Sequence, residues 1–275
     1  MAFAAPLNSA LAHPALRALA QWKALLDGCF EGRWPETSIW SGFSADIGLR
    51  TASGAPLRFV APRHPPPPAL AFEEKIYATG AVETRHTTWH DTFHALAWLT
   101  FPKTKARINA LHVADGLRDA NEAPNRRSAL RNRLTLFDEG GLIVASCNPA
   151  LHDLVRDFAW HRLFWQERAA VQTQMDFVVF GHALYERALN LHYGSTGRAW
   201  LVSAPPAYFE WDDARRLAYL DDYLSCALQT APTAAPHLAL LQALPVKGIP
   251  GWAAENKVES YYADEKQFRP KRKVA

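Results

Sequence analysis

The chain has 275 residues, 49% hydrophobic and 21% charged, with a formal net charge of +3. Such a length accommodates one large domain or two small ones around a sizeable core, and the balance is that of a soluble globular protein. So mild a charge excludes polyanion or membrane-surface binding as the organising principle, and no apolar run approaches the roughly 20 residues a bilayer span requires. The three cysteines, Cys29, Cys147 and Cys226, are scattered and form no CxxC pair. That excludes a disulfide framework or a zinc knuckle and points to a reducing, cytoplasmic setting. Cys147 and Cys226 have no nucleophile context and read as buried or neutral. The N-terminal MAFAAPLNSALAHPALRALAQW lacks a basic segment, is interrupted by Pro6 and Pro14, and does not read as a signal peptide.

Leucine and alanine at helical spacing after Pro14 predict a first helix over 14–27. PLRFVA at 56–61 predicts a short strand, and HPPPP at 64–68 a stiff extended spacer. A helix is expected from Phe72 to Tyr77, ended by Gly80, then another over Trp89–Phe101, with Pro102 opening a third from Lys103 to Leu117. An arginine-rich loop, 118–132, leads into RLTLFDEGGLIVAS at 133–146, which predicts a β-hairpin around an Asp-Glu-Gly-Gly turn. Three helices are expected downstream, over Pro149–Val171, Asp176–Leu191 and Asp212–Gln229, followed by turn-rich, aromatic sequence. Trp89, Trp98, Trp160, Trp165 and Trp200 fall in apolar surroundings and are assigned to the core. The expected fold is a single helix-rich α+β domain spanning 1–275, with at least one β-hairpin, a core over about 14–262 and a solvated basic tail at 269–275.

The chemistry concentrates between Arg85 and His112. His90 and His94 lie four apart and so share one helix face, and Asp91 occupies the first turn. This spacing suits a shared divalent metal, although the acid differs from the glutamate of the HExxH motif. FGHALYE repeats the spacing with His182 and Glu186, and two such helices facing each other can build a four-ligand site. Glu139, beside Asp138 at the expected hairpin tip, is a further carboxylate, and Arg85 precedes a helix N-terminus, where anions are favoured. His86, His90 and Asp91 also echo the His-Asp pair of metal phosphohydrolases. Arg118, Arg126, Arg127, Arg131 and Arg133 could form a phosphate-binding strip or a solvated basic loop. No GxGxxG, P-loop or GxSxG motif is present, so no nucleotide cofactor is expected.

The segments TRHTTWHDTFHALAWLTFPKTKARINALH, LTLFDEGG, VFGHALYE and LPVKGIPGW, with a closing FRP, resemble the proteobacterial domain of unknown function family 3025 over roughly residues 20–270. The resemblance implies one whole-chain domain and supplies no activity. The family pattern has asparagine at the position of His94, which leaves His90, Asp91, His182 and Glu186 as the stronger candidates.

These readings lead to a cytoplasmic metal-dependent hydrolase acting on a small anionic substrate. His90, His182 and Glu186 hold zinc, iron or manganese; Asp91, His112 and Arg85 serve catalysis; His94 and Glu139 stand in reserve. The alternative is a non-catalytic binding or scaffold protein, in which these groups are internal hydrogen-bond partners and the arginine loop meets an acidic partner or nucleic acid. In a third reading His90–Asp91 is a buried hydrogen-bonded lock. Oligomeric state is open. The shared geometric expectation is that the helices bearing His90 and His182 pack together and direct both imidazoles and Glu186 into one cavity.

Overall fold

In a computed structural model, residues 13–62, 69–122 and 128–271 are described, the side chains of 69–71 and 117–122 excepted. HPPPP, Arg126 and Arg127 lie outside them, as do the chain's first twelve residues and last four. The fold is α+β, as expected: helices surround a four-stranded sheet, with a small two-stranded sheet to one side.

A 3-10 segment, Pro14–Trp22, runs into helix α1 (Lys23–Phe30), and α2 (Thr37–Asp46) follows. Strand β1 (Arg58–Val60) pairs in parallel with β2 (Ala81–Glu83) across α3 (Ala69–Thr79). Gly80 closes that crossover at φ +69°, where an added Cβ would sit 2.0 Å from the Pro56 carbonyl oxygen. Helix α4 (Trp89–Thr100) starts where the Thr88 hydroxyl accepts the Asp91 amide at 3.3 Å, and is buried on almost every side. Pro102 opens α5 (Pro102–Glu122), whose first amides are capped from a distance. Lys103 N and Thr104 N donate to the Asp221 carboxylate at 3.0 and 2.8 Å, from helix α10 (Asp213–Ala227).

The segment expected to form a hairpin differs most from the sequence reading. Residues Ala129–Gly140 are a helix, α6, capped by the Ser128 hydroxyl accepting from Arg131 N at 3.0 Å. Leu130, Leu134 and Phe137 are its large apolar buried positions, and that 4-then-3 spacing has the helical period. The β-like composition of LTLF is overridden by packing: Phe137 stacks on Phe180 at 4.7 Å and meets Trp200 at 5.1 Å. Only GLIVAS is a strand, β3 (Gly141–Ser146), buried throughout, as befits the centre of a covered sheet.

The sheet order is β4-β3-β5-β6, with β4 (Met175–Val179) and β6 (Gln242–Pro245) at its edges and β5 (Thr196–Ser203) parallel to β3. Its antiparallel pairs, β3–β4 and β5–β6, are joined across intervening helices, not by tight turns. The helix expected over Pro149–Val171 is broken into α7 (Pro149–Arg156), a π turn (Arg162–Gln166) and α8 (Arg168–Gln174). The one expected over Asp176–Leu191 begins as β4, and only His182–Ala188 is helical, α9. Helix α11 (Ala231–Ala239) precedes β6. Trp98, Trp160 and Trp200 are buried, while Trp89 and Trp165 pack half-buried against the core. Among the free cysteines Cys29 is buried, Cys147 is half-buried and Cys226 is exposed, so Cys226 does not meet the buried half of its expectation. No described helix is long and apolar enough to cross a membrane.

The helical register of α6 is directly testable. Leu134 is fully buried and Leu136 is 46% exposed, whereas a strand would point both to one side. Leu134→Ala is expected to lower unfolding stability by about 2–5 kcal/mol and Leu136→Lys by less than about 0.5 kcal/mol, as read by denaturant titration.

Candidate functional site

Sheet register places the site. Val179 lies opposite Leu142, so the chain leaving β4 folds back over the junction between α6 and β3. Phe180 N and Gly181 N both donate to the Gly141 carbonyl at 3.0 Å. A Cβ on Gly181 would stand 2.4 Å from both Glu139 O and Gly141 N, so glycine is required for this approach. His182, the first residue of α9, is thereby set against Asp138 and Glu139, the last acids of α6. Helix α4 packs alongside α9, with Phe93 stacked on Tyr185 at 5.7 Å and the buried Tyr185 hydroxyl donating to the Val179 carbonyl.

Three imidazoles therefore converge. His182 lies edge-on to His90 at 4.6 Å and to His94 at 4.8 Å between ring centroids, so the expected meeting of the two helices occurs. Two sets of donor atoms lie within 4.8 Å of one another: His90, Glu139 and His182, and His94, Asp138 and His182. His182 belongs to both. Its Nδ1 faces Asp138 Oδ2 at 3.6 Å and its Nε2 faces Glu139 Oε1 at 3.9 Å. Nδ1 is buried and makes no hydrogen bond, an arrangement that calls for explanation in a folded protein.

A cation sits beneath this cluster. Lys105, 3% exposed on α5, bonds Asp138 at 2.5 Å and lies over the Trp98 ring at 5.4 Å. Burial works against charge on Asp138, but the Lys105 ammonium and the neighbouring imidazoles hold its carboxyl far below the usual range. Burial lowers His182 to about 4; Asp138 opposes that shift and Lys105 reinforces it. His94 is likewise pushed well below the ordinary histidine value, by burial first and then by Lys105. Both rings are therefore neutral near pH 7.

The other predicted residues are placed differently. Asp91 is committed to Arg85: it accepts from the Arg85 backbone amide at 2.5 Å and from the guanidinium Nε and Nη2 at 3.1 and 2.8 Å. Burial would raise its pKa, but these bonds lower it, leaving an anion locked to Arg85 and without a hydrogen bond to His90. Glu186 stands behind His90, its Oε2 3.4 Å from His90 Nδ1, and belongs to no converging set of three among the described residues. It thus meets His90 as expected without joining the cluster. His86 points away, toward Glu36 at 3.4 Å, so the His-Asp phosphohydrolase pattern is not reproduced. His112 is buried and lines the same cleft of about 500 Å³, as do Arg85, Asp138, Glu139 and all three clustered histidines. Of the arginine strip, Arg131 turns inward to line that cleft, because its segment is helical, and Arg133 is half-buried. Only the backbone of Arg118 is described.

Sequence reasoning missed Lys105 and Asp138 as central groups. A signal existed: Lys105, Asn109 and His112 recur at helical spacing on the inward face of α5, a polar stripe where apolar residues belong.

The depressed histidines make stability pH-dependent in one direction. In the unfolded chain these rings bind protons near 6.5, while folded His182 does so only near 4. Stability present above pH 6.5 is therefore lost as pH falls toward 4. The expected loss for His182 is roughly 3 kcal/mol. His182→Gln should flatten the pH dependence of the denaturation midpoint in that window, and an unchanged slope would contradict the assignment.

Comparison with known proteins gives one match. The family model described as "Protein of unknown function (DUF3025)" covers residues 57–272, which include every residue of the cluster. No curated protein and no solved structure matches significantly. The chain belongs to the DUF3025 family.

Proposed function

We propose that the chain is a metal-dependent hydrolase of anionic substrates, with a divalent cation held by His90 Nε2, His182 Nε2 and the Glu139 carboxylate. The observation that carries this reading is the carboxylate behind each imidazole. Glu186 faces His90 Nδ1 and Asp138 faces His182 Nδ1, while His182 Nε2 faces Glu139 and the Nε2 of His90 is left for a metal. Carboxylate–histidine pairs of this kind orient metal-bound imidazoles. Two histidines and one glutamate with an open fourth position form a donor set for catalytic zinc; iron and manganese are the competing occupants. The set containing Asp138 is disfavoured, because Lys105 already neutralises that carboxylate and would repel a second cation.

Donor atoms within 4.8 Å of one another must close by about 1 Å to meet a cation at about 2.1 Å from each, a shift within reach of side-chain rotation. His182, neutral near pH 7, needs no deprotonation to act as ligand. The cation would supply acidity to a bound water. Arg85 and Arg131, both lining the cleft, would orient the anion, and His94 and His112, which line it too, would carry a proton. In this scheme Glu186 and Asp138 are positioning residues and Asp91 holds Arg85 in place.

The competing reading, a non-catalytic protein whose polar cleft only locks its helices, draws on the internally satisfied pairs Lys105–Asp138 and Arg85–Asp91. Elemental analysis of protein purified without a histidine tag separates the two. Hydrolase chemistry requires about one equivalent of zinc, iron or manganese per chain, with affinity falling about 10–100-fold in Glu186→Gln. It also requires turnover of an anionic ester by the loaded protein that disappears in Glu139→Gln. Substoichiometric metal, together with no thermal stabilisation on adding any of the three, would exclude it.

A further inference from the structure

A second pocket, of about 700 Å³, lies on the β5–β6 edge of the sheet. The antiparallel register pairs Thr196 with Pro245 and Arg198 with Ala243, and these four residues form the pocket floor. Phe158, Trp160 and residues of the Lys266–Lys271 segment complete its walls. We propose that this pocket binds a small phosphate-bearing ligand, through Arg198 on its floor, Gln267 in its wall and the cations of its rim.

Three independent observations converge on that ligand class. Arg198 is half-buried, and its guanidinium makes no hydrogen bond or ion pair with any described residue. A guanidinium that lines a pocket with no protein acceptor bonded to it presents its planar fork to an incoming oxyanion. Gln267 lines the pocket at 3% exposure, with its amide oxygen accepting from Gly194 N at 2.6 Å. That bond fixes the amide orientation, and the opposite Nε2 donor has no partner. A buried donor without an acceptor costs stability, which an oxyanion would recover.

The charge balance favours phosphate over a single carboxylate. Lys266, Arg269 and Lys271 join Arg198 around the pocket, and no carboxylate is among the described residues that line it. Lys271 is paired with Asp157 at 3.2 Å on the exposed side, and Lys266 has Asp264 nearby. The wall is also held under tension: Phe158 has a φ of 56°, a left-handed conformation costly for a bulky side chain, and packs on Trp160 at 5.1 Å. Trp160 in turn donates its indole N–H to the Arg269 carbonyl at 2.9 Å, so the aromatic wall and the basic rim are one unit.

The experiment is calorimetric titration of the full chain with inorganic phosphate, against sodium chloride at matched ionic strength. Saturable binding is expected in the wild type, weakened at least about tenfold by Arg198→Gln, the loss that follows from removing one charge-assisted contact. His182→Ala, in the other cleft, should leave it unchanged. Because Arg198 is only half-buried, Arg198→Gln should keep the wild-type melting temperature, and Lys266→Gln offers a second, surface variant expected to weaken binding too. Binding that is absent, reproduced by chloride, or insensitive to both substitutions overturns the proposal. Loss of binding in His182→Ala would place the phosphate in the histidine cleft and overturn it equally. This outcome is independent of whether a metal is found there.

Discussion

The histidine cluster is built over one buried ion pair, Lys105–Asp138. Asp138 sits in the last turn of α6, where the helix dipole disfavours a carboxylate, and it is largely buried. Neither ion would stay charged alone, since removing one partner of a buried pair leaves an uncompensated charge costing several kcal/mol. Together they create a fixed dipole under three imidazoles. Burial keeps His94 and His182 neutral; the ammonium end reinforces this at both rings, while the carboxylate end faces His182 Nδ1 and opposes it.

Geometry and electrostatics reinforce each other here. The Gly181 contact with the α6–β3 junction sets His182 Nε2 at 3.9 Å from Glu139 Oε1. The α4–α9 packing, fixed by Phe93 on Tyr185, delivers His90 and His94 to the same place. Arg85–Asp91 then closes the rim and ties the end of the small sheet to the start of α4. Each link is a rigid element of secondary structure, which is how a protein holds converging polar groups that desolvation would otherwise drive apart.

Much of this arrangement could be read from the amino acids, though unevenly. His90, His94 and His182 stood out because ionisable groups at helical spacing inside apolar sequence are costly unless they meet. Convergence of the two helices followed from the same argument. The roles of individual acids did not follow, because a carboxylate one turn away can belong to any nearby cation: Asp91 went to Arg85, and Glu186 moved behind His90. Asp138 was misplaced with its element. LTLF carries strand-forming residues and two glycines follow it, so local propensity favoured a hairpin that burial of Leu134 and Phe137 overrules. MDFVV and GHALYE were merged into one helix because an apolar run of that length has no unambiguous period, and only the Gly181 contact, invisible in sequence, separates them.

The central claim is that His182 is a neutral imidazole protonated on Nδ1, toward Asp138, with Nε2 bare toward Glu139. Nitrogen-detected NMR of the histidine side chains measures this directly. At pH 7 the claim requires the His182 proton on Nδ1, persisting down to about pH 4, and a shift of the Nε2 resonance when zinc is added. A ring protonated on Nε2, or doubly protonated at pH 7, with no response to zinc would contradict it.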